Sequence, residues 1–420
     1  MIKHKIIIFA LVILSFSSCI TTKTAIKDFN NAEYYDASIK FEKIIKEGDS
    51  ENSFLLAESL RKSNRLWQAE KYYKDAIKFG IRDEMAYYYL TLSLKGNSNY
   101  DAADSLISNY LSKGKDEAVI NLMRRESLHI KNLRLYPDTS YYKVKNLKAL
   151  NTSYAEYSPA FSNEKLYFVS NRQSEKIYSG TGTPFTDLYE IKSKGANVDI
   201  NSLKKLEENI NNEKVNEGSI TFSGDGMYMI FAKGNNGKSN GRNNVDLYYS
   251  RYRRSGWTNP RLLNVNTSRS WDSTPYLSKD GKTLYFASNR SKGYGGTDIY
   301  KANVNRRGRW INIQNLGPEI NTPGNELFPS VTEDGRLYFS SDNHEGFGGL
   351  DIFVASRKSG KVTISNPGKP LNSRGDDFGV NPYNATRGFF TSNRDGGYGD
   401  DDIYTFVTVS YTHLTLPTKA

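Results

Sequence analysis

The chain has 420 residues, room for two or three domains, with 25% charged and 37% hydrophobic residues, the balance of an ordinary globular protein. Its net charge of +11 is spread so that nowhere do three Lys or Arg run together, which favours a solvated surface over a nucleic-acid groove. The single cysteine excludes an intrachain disulfide, while 30 tyrosines and 33 glycines favour β-structure with many tight turns.

The first residues read as an export signal. Lys3 and Lys5 make a basic start, Ile6 to Phe16 an apolar run too short to span a bilayer, and Ser17-Ser18 precede Cys19. Small residues directly before a lone Cys resemble the processing site of bacterial lipoproteins, with Phe16 standing where Leu is usual. The resemblance implies a signal peptide over residues 1–18, lipidation of Cys19 and a lipidated linker over 19–23. A plain secretory signal is the alternative. Ile20 to Ala25 carries no acidic cluster, which favours a periplasm-facing anchor over surface export. No later apolar run is long enough to cross a membrane.

Residues 24–134 carry a helical repeat. Ala37, Phe41 and Ile44 return as Ala69, Tyr73 and Ala76, then as Ala103, Ile107 and Tyr110, at offsets of 32 and 34 residues. Spacings of four and three within each set mark one helix face. Leu56, Ala57 and Leu60, then Leu90 and Leu94, place a preceding helix in each unit, and Asp116 to Leu133 reads as a closing helix with Val119, Leu122, Met123 and Ile130 inward. The pattern resembles tetratricopeptide repeats. That resemblance places Phe54, Glu58, Arg61, Tyr88 and Lys95 near a concave surface that holds a partner peptide; an ordinary solvated role is the alternative for each.

After a linker over 135–141, a longer repeat fills residues 142–409. Glu156 to Arg172 (EYSPAFSNEKLYFVSNR) returns at Asp272 to Arg290 and at Glu326 to His344, with looser copies at Glu217 to Asn235 and Asp377 to Arg394. Each copy is followed by an acidic-apolar-aromatic step beginning at Asp187, Asp246, Asp298, Asp351 or Asp402, at spacings of 59, 52, 53 and 51 residues. A period near 52 with several short strands is the signature of propeller blades. Within one unit, Lys279-Asp280-Gly281-Lys282 is a hairpin turn, Leu284 to Phe286 a strand, the Gly-rich Gly293 to Asp298 a turn into the strand Ile299 to Ala302, and Trp310 to Ile313 an outer strand. The motif resembles the WD-repeat-like propeller of TolB and its relatives. The fifth copy lacks an outer strand, and residues 142–147 supply one, closing five blades of four strands each. Residues 410–420 fit no repeat and read as a non-native tail.

Recurrence of Arg172, Arg290 and Arg394, and of the five aspartates, argues for structural roles, because one site needs one set of residues. Gly396 to Asp401 resembles the turns of calcium-binding β-rolls but lacks their short period, and Ser278 to Gly281 resembles the turn of sialidase propellers without its spacer. No G-x-S-x-G elbow, Walker A motif or dinucleotide fingerprint occurs, and the only histidines between the signal and the last residues are His129 and His344. The chain is therefore expected to be no enzyme and to hold no cofactor or metal.

The order of signal, helical array and propeller resembles PorE-like outer-membrane lipoproteins of Bacteroidetes, OmpA-family proteins of the type IX secretion system. The fold expected is a tetratricopeptide-like α-solenoid followed by a five-bladed β-propeller. The resemblance implies an outer-membrane-anchored periplasmic scaffold binding envelope proteins and secretion-machinery subunits, without nucleic acid. Peptidoglycan would be reached only through a C-terminal OmpA-like domain that lies beyond this sequence. The alternative from another class is a glycan-binding or glycan-hydrolysing surface lipoprotein.

Overall fold

The computed structural model describes residues 21–135, 141–234, 245–268 and 270–409. The signal peptide, Cys19, most of the 135–141 linker and the 410–420 tail lie outside the described residues.

Seven α-helices come first: α1 (Thr22–Asn30), α2 (Tyr34–Ile44), α3 (Ser50–Lys62), α4 (Glu70–Lys78), α5 (Met85–Gly96), α6 (Tyr100–Lys113) and α7 (Glu117–Leu135), with a 3-10 turn at Leu66–Gln68. Local chemistry sets their starts. The side chains of Thr21, Asp49 and Asn99 accept from backbone N–H groups at the starts of α1, α3 and α6, satisfying donors that a helix leaves open. Successive helices pack against one another, and α7 closes the stack against α5 and α6. The small–large repeat positions form its seam: Ala37, Phe41, Ala69, Tyr73, Ala76 and Ala103 are fully buried. Val119, Met123 and Ile130 of the closing helix are buried as the periodicity predicts.

Strand β1 (Tyr142–Asn146) is followed by five repeats. Blade one holds β2 (Glu156–Ser162), β3 (Lys165–Ser170), β4 (Asp187–Lys194) and β5 (Asn197–Lys205). Blade two holds β6 (Asn216–Phe222), β7 (Tyr228–Gly234), β8 (Val245–Arg253), β9 (Gly256–Trp257) and β10 (Arg261–Leu262). Blade three holds β11 (Asp272–Leu277), β12 (Thr283–Ser288), β13 (Asp298–Val304) and β14 (Trp310–Asn315). Blade four holds β15 (Glu326–Val331), β16 (Leu337–Ser341), β17 (Asp351–Lys358) and β18 (Lys361–Ser365). Blade five holds β19 (Asp377–Pro382), β20 (Arg387–Ser392) and β21 (Asp402–Thr408).

Blade five takes β1 as its outer strand, in antiparallel register from Tyr142 opposite Thr408 to Asn146 opposite Tyr404. The ring is therefore closed by the strand nearest its own N-terminus, as the sequence implied. One strand more than twenty is present because the outer strand of blade two is broken. Pro260 lies between β9 and β10 and has no N–H to give the ladder.

Every inner strand is bulged at the same place, with register shifts at Tyr157/Ala160, Glu217/Ile220, Ser273/Tyr276, Leu327/Ser330 and Phe378/Asn381. Ser158, Thr274 and Phe328 take positive φ there, of 55°, 45° and 53°, a conformation costing about 1 kcal/mol per non-glycine residue. Bonds to neighbouring blades hold them: the Ser158 N–H donates to Thr391 Oγ1 at 3.0 Å and the Phe328 N–H to Thr274 Oγ1 at 3.1 Å. Apolar clusters between successive blades make the core, such as Leu277, Phe286 and Trp310 packed with Ile230 and Leu247.

Antiparallel order fixes what each end of the propeller carries. Hairpins joining first to second strands, and turns joining third to fourth, share one face. The long second-to-third connections and the links between blades share the other. The helical array sits on this second face: the Tyr35 N–H donates to the carbonyl of Ser179 in the β3–β4 connection at 3.1 Å. At Gly182 (φ 77°) a Cβ would overlap the Tyr35 ring.

Candidate functional site

Charged side chains recur so regularly in the propeller that their partners decide whether any is free for chemistry. Each blade begins with an acid, Glu156, Glu217, Asp272, Glu326 or Asp377, and all five are fully buried. A buried carboxylate needs a cation or several donors. Arg290 supplies both geometry and charge in blade three. It pairs with Asp272 at 2.8 Å, donates to Ser288 Oγ at 2.8 Å and to the Val265 carbonyl at 3.2 Å, and lies over the rings of Phe286 and Tyr300. Arg172 does the same with Glu156 and the Leu150 carbonyl, and Arg394 with Asp377 and the Leu371 carbonyl. In blade two Lys233 takes over, 2.8 Å from Glu217 and bonded to the Ile210 carbonyl.

Blade four breaks the pattern. His344 Nε2 donates to the corresponding carbonyl, Ile320, at 2.9 Å and packs on Phe339 and Phe353, but burial lowers its pKa. Glu326 has only Thr322 N–H, Thr322 Oγ1 and Ser341 Oγ as donors, and burial pushes its pKa up to about 7. Glu217 also rises to about 7, burial outweighing Lys233.

Three of the five aspartates at the third strands are held by their own loops. Asp298 accepts from the N–H groups of Tyr294 and Gly295, Asp351 from Phe347 and Gly348, and Asp402 from Tyr398. Asp187 pairs with Lys205 at 2.7 Å, and Asp246 is half-buried. The loop glycines are required by this wrapping, since a Cβ at Gly293 or Gly346 would strike the carboxylate of Asp298 or Asp351. Among the described residues no group of His, Cys, Asp and Glu is arranged to hold a metal ion. A second ring went unread in sequence. Asn151, Asn211, Asn266, Asn321 and Asn372 each use one amide to bridge both backbone groups of the residue after these aspartates, as Asn372 does with Ile352 at 2.8 Å twice. The Leu-Asn pairs at 150–151 and 371–372 were its visible trace.

At the propeller axis the bulges surround a cavity of about 30 Å³ lined by Ser158, Thr221, Thr274, Phe328, Gly379 and Asn381, room for ordered water.

In the array, the five residues assigned to a concave surface sit in one region and are engaged within it. Glu58 is buried, receives both Arg61 (2.6 Å) and the Tyr73 hydroxyl (2.6 Å), and Arg61 stacks on Tyr89. Phe54 packs edge-on to Tyr73. Lys95, 5% exposed, pairs with Glu126 at 2.6 Å. Against burial, the Lys95 ammonium and the hydrogen bond with His129 hold the Glu126 carboxyl far below the usual range. Arg125 donates to the Tyr88 hydroxyl at 3.2 Å. Burial raises the pKa of Asp342 and Asp351 in the propeller, with Arg125 and Lys95 of the array opposing the rise at each. Arg125, Glu126 and His129 were not read from sequence, because a closing helix has no repeat partner to mark them. Away from this interface, Trp67 is 58% exposed in an open groove of about 440 Å³ with Gln68, Lys71 and Asn97.

No family description and no curated protein matches the sequence. Among solved structures, the chain is similar to a TolB from Agrobacterium tumefaciens at 17% identity, covering 62% of this chain and 78% of that one with a TM-score of 0.36. TolB from Acinetobacter baumannii aligns at 14% identity over 68% and 69%, TM-score 0.35. An α-L-arabinofuranosidase from Lactobacillus brevis aligns at 11% over 62% and 92%, TM-score 0.40. These are likenesses of fold. They also correct one expectation: enzymes, glycosidases among them, occur with this propeller architecture. The missing nucleophile and nucleotide motifs therefore do not make the chain a non-enzyme.

Proposed function

We propose that the chain is a binding scaffold of the bacterial envelope, tethered to the outer membrane through Cys19 and facing the periplasm. In this reading the helical repeats are tetratricopeptide-like and the protein belongs with the PorE-like lipoproteins of Bacteroidetes that serve type IX secretion. One observation carries the proposal. The recurring charged residues of both repeat bodies are used up internally, while Trp67 stands exposed in an open groove on the array, the kind of aromatic anchor that dominates protein interfaces.

The test has two arms. Wild-type chain expressed in a lipoprotein-processing bacterium should fractionate with membranes and Cys19→Ala should not; equal association of both removes the anchor. Purified chain should capture secretion-machinery subunits from envelope extract, and Trp67→Ala should lose them at least about tenfold, as loss of an interface anchor does. Retention of glycan in place of protein would favour the glycan-binding alternative.

A further inference from the structure

The excess of positive charge looks diffuse along the chain, but the propeller gathers part of it. Turns joining third to fourth strands all lie on the face away from the helical array. In blade two that turn carries Arg253 and Arg254, and in blade three Arg306, Arg307 and Arg309; all five are exposed. Among the described residues no carboxylate pairs with any of them. Of the acids near these turns, Glu333 pairs with Lys279, Asp225 and Asp280 accept from Ser223 and Ser278 of their own hairpins at 2.5 and 2.6 Å, and the exposed Glu207 lies beside Gly256 of the blade-two turn.

The two arginine turns belong to one patch. Tyr228 pairs with Arg251 in the blade-two sheet and packs in the cluster that holds Trp310, the residue after Arg309. Beside the blade-two turn, on the side of the sheet that faces blade one, stand two exposed apolar side chains. Tyr252 is 43% and Met227 45% exposed, and they are neighbours, the Tyr252 N–H donating to the Met227 carbonyl at 2.8 Å.

We propose that this face docks on an anionic lipid surface, its arginines on headgroup phosphates and Tyr252 and Met227 at the interface below them. Three features select that occupant. Arginine is the residue suited to bidentate phosphate contacts. The arginines sit on exposed turn tips, and the cavity at the axis holds only about 30 Å³, so they present their charge as an open surface. An aromatic and a thioether beside clustered cations match the headgroup boundary, where each basic residue adds measurable attraction. The inference is independent of the Cys19 anchor.

The experiment uses the full chain carrying Cys19→Ala, so that no acyl group contributes, and vesicles of phosphatidylcholine with or without phosphatidylglycerol. Co-sedimentation should require phosphatidylglycerol and fall steeply with added salt. Arg253→Glu, Arg306→Glu and Arg307→Glu together should weaken it at least about tenfold. The charge-matched set Lys148→Glu, Lys214→Glu and Lys292→Glu, on the opposite face, should leave it within about twofold. Matching melting curves for both sets would show that folding is kept, and the salt dependence of the unsubstituted chain stands even if a variant misfolds. Equal weakening by the two sets, binding to pure phosphatidylcholine, or retention by double-stranded DNA without vesicle binding would each overturn the proposal.

Discussion

His344 shows what a single side chain decides in this propeller. In the sister blades a guanidinium or ammonium bonds the same carbonyl and neutralises the buried acid; in blade four an imidazole makes the bond without the charge. Arg290→Ala strands Asp272 and should cost about 3 kcal/mol, the price of an unpaired buried carboxylate. His344→Ala loses one hydrogen bond and ring packing, about 1–2 kcal/mol. Urea unfolding of both variants checks the order, and a larger loss for His344→Ala would contradict the account. Glu326 adds a pH dependence. An acid whose folded pKa is raised to about 7 from 4.5 holds its proton more tightly when folded. Its contribution is complete below pH 4.5 and is lost as pH rises through 7, on the order of 3 kcal/mol. The melting temperature should fall between pH 5 and 8, and Glu326→Gln should flatten that slope. Parallel profiles for the two proteins would remove Glu326 as the cause.

At the scale of elements, strand β1 carries more than its five residues suggest. Through its register with β21 it covers an edge of blade five, and its Tyr142 and Val144 pack with Tyr338, Val354 and Phe406 across blades four and five. Behind it, Asn151 bridges Ile403 as Asn372 bridges Ile352, so the seam uses the same lock as the interior joints. A chain beginning at Asn151 should expose the β21 edge, and exposed edges associate. It should aggregate or melt at least about 10 °C lower, more than 1 kcal/mol shifts a domain of this size. A chain ending at Ser410 should match the full protein. Light scattering and calorimetry decide, and the opposite ranking would refute closure by β1.

Across the whole molecule, helices of the array meet the propeller at its loops rather than at its strands. The contact at Tyr35 and Ser179 depends on Gly182 having no side chain. Gly182→Val should therefore detach that end of the array while leaving each body folded. Small-angle scattering should show a larger radius of gyration, and calorimetry should show two separated transitions. An unchanged profile would mean that other contacts hold the array in place.

How much of this could be read beforehand follows from the range of the interactions. Helix faces, blade period, hairpin turns and the outer strand at 142–147 were legible because each is written by spacing within one repeat or by likeness between repeats. Phe54, Glu58, Arg61, Tyr88 and Lys95 were placed on a concave surface by the resemblance to tetratricopeptide repeats. Their occupation was not legible: Lys95 meets Glu126 on a helix 31 residues away, and Arg125 reaches a propeller loop. The exchange of arginine for His344, with the pKa of Glu326 that follows, needs the folded blade, because burial and a missing cation set it together. Charge is the clearest case. The sequence by itself determined how many basic residues there are and that no run of them exists. Only the tertiary structure decided that arginines from separate repeats stand on one face, since antiparallel strand order sends every third-to-fourth turn to the same end.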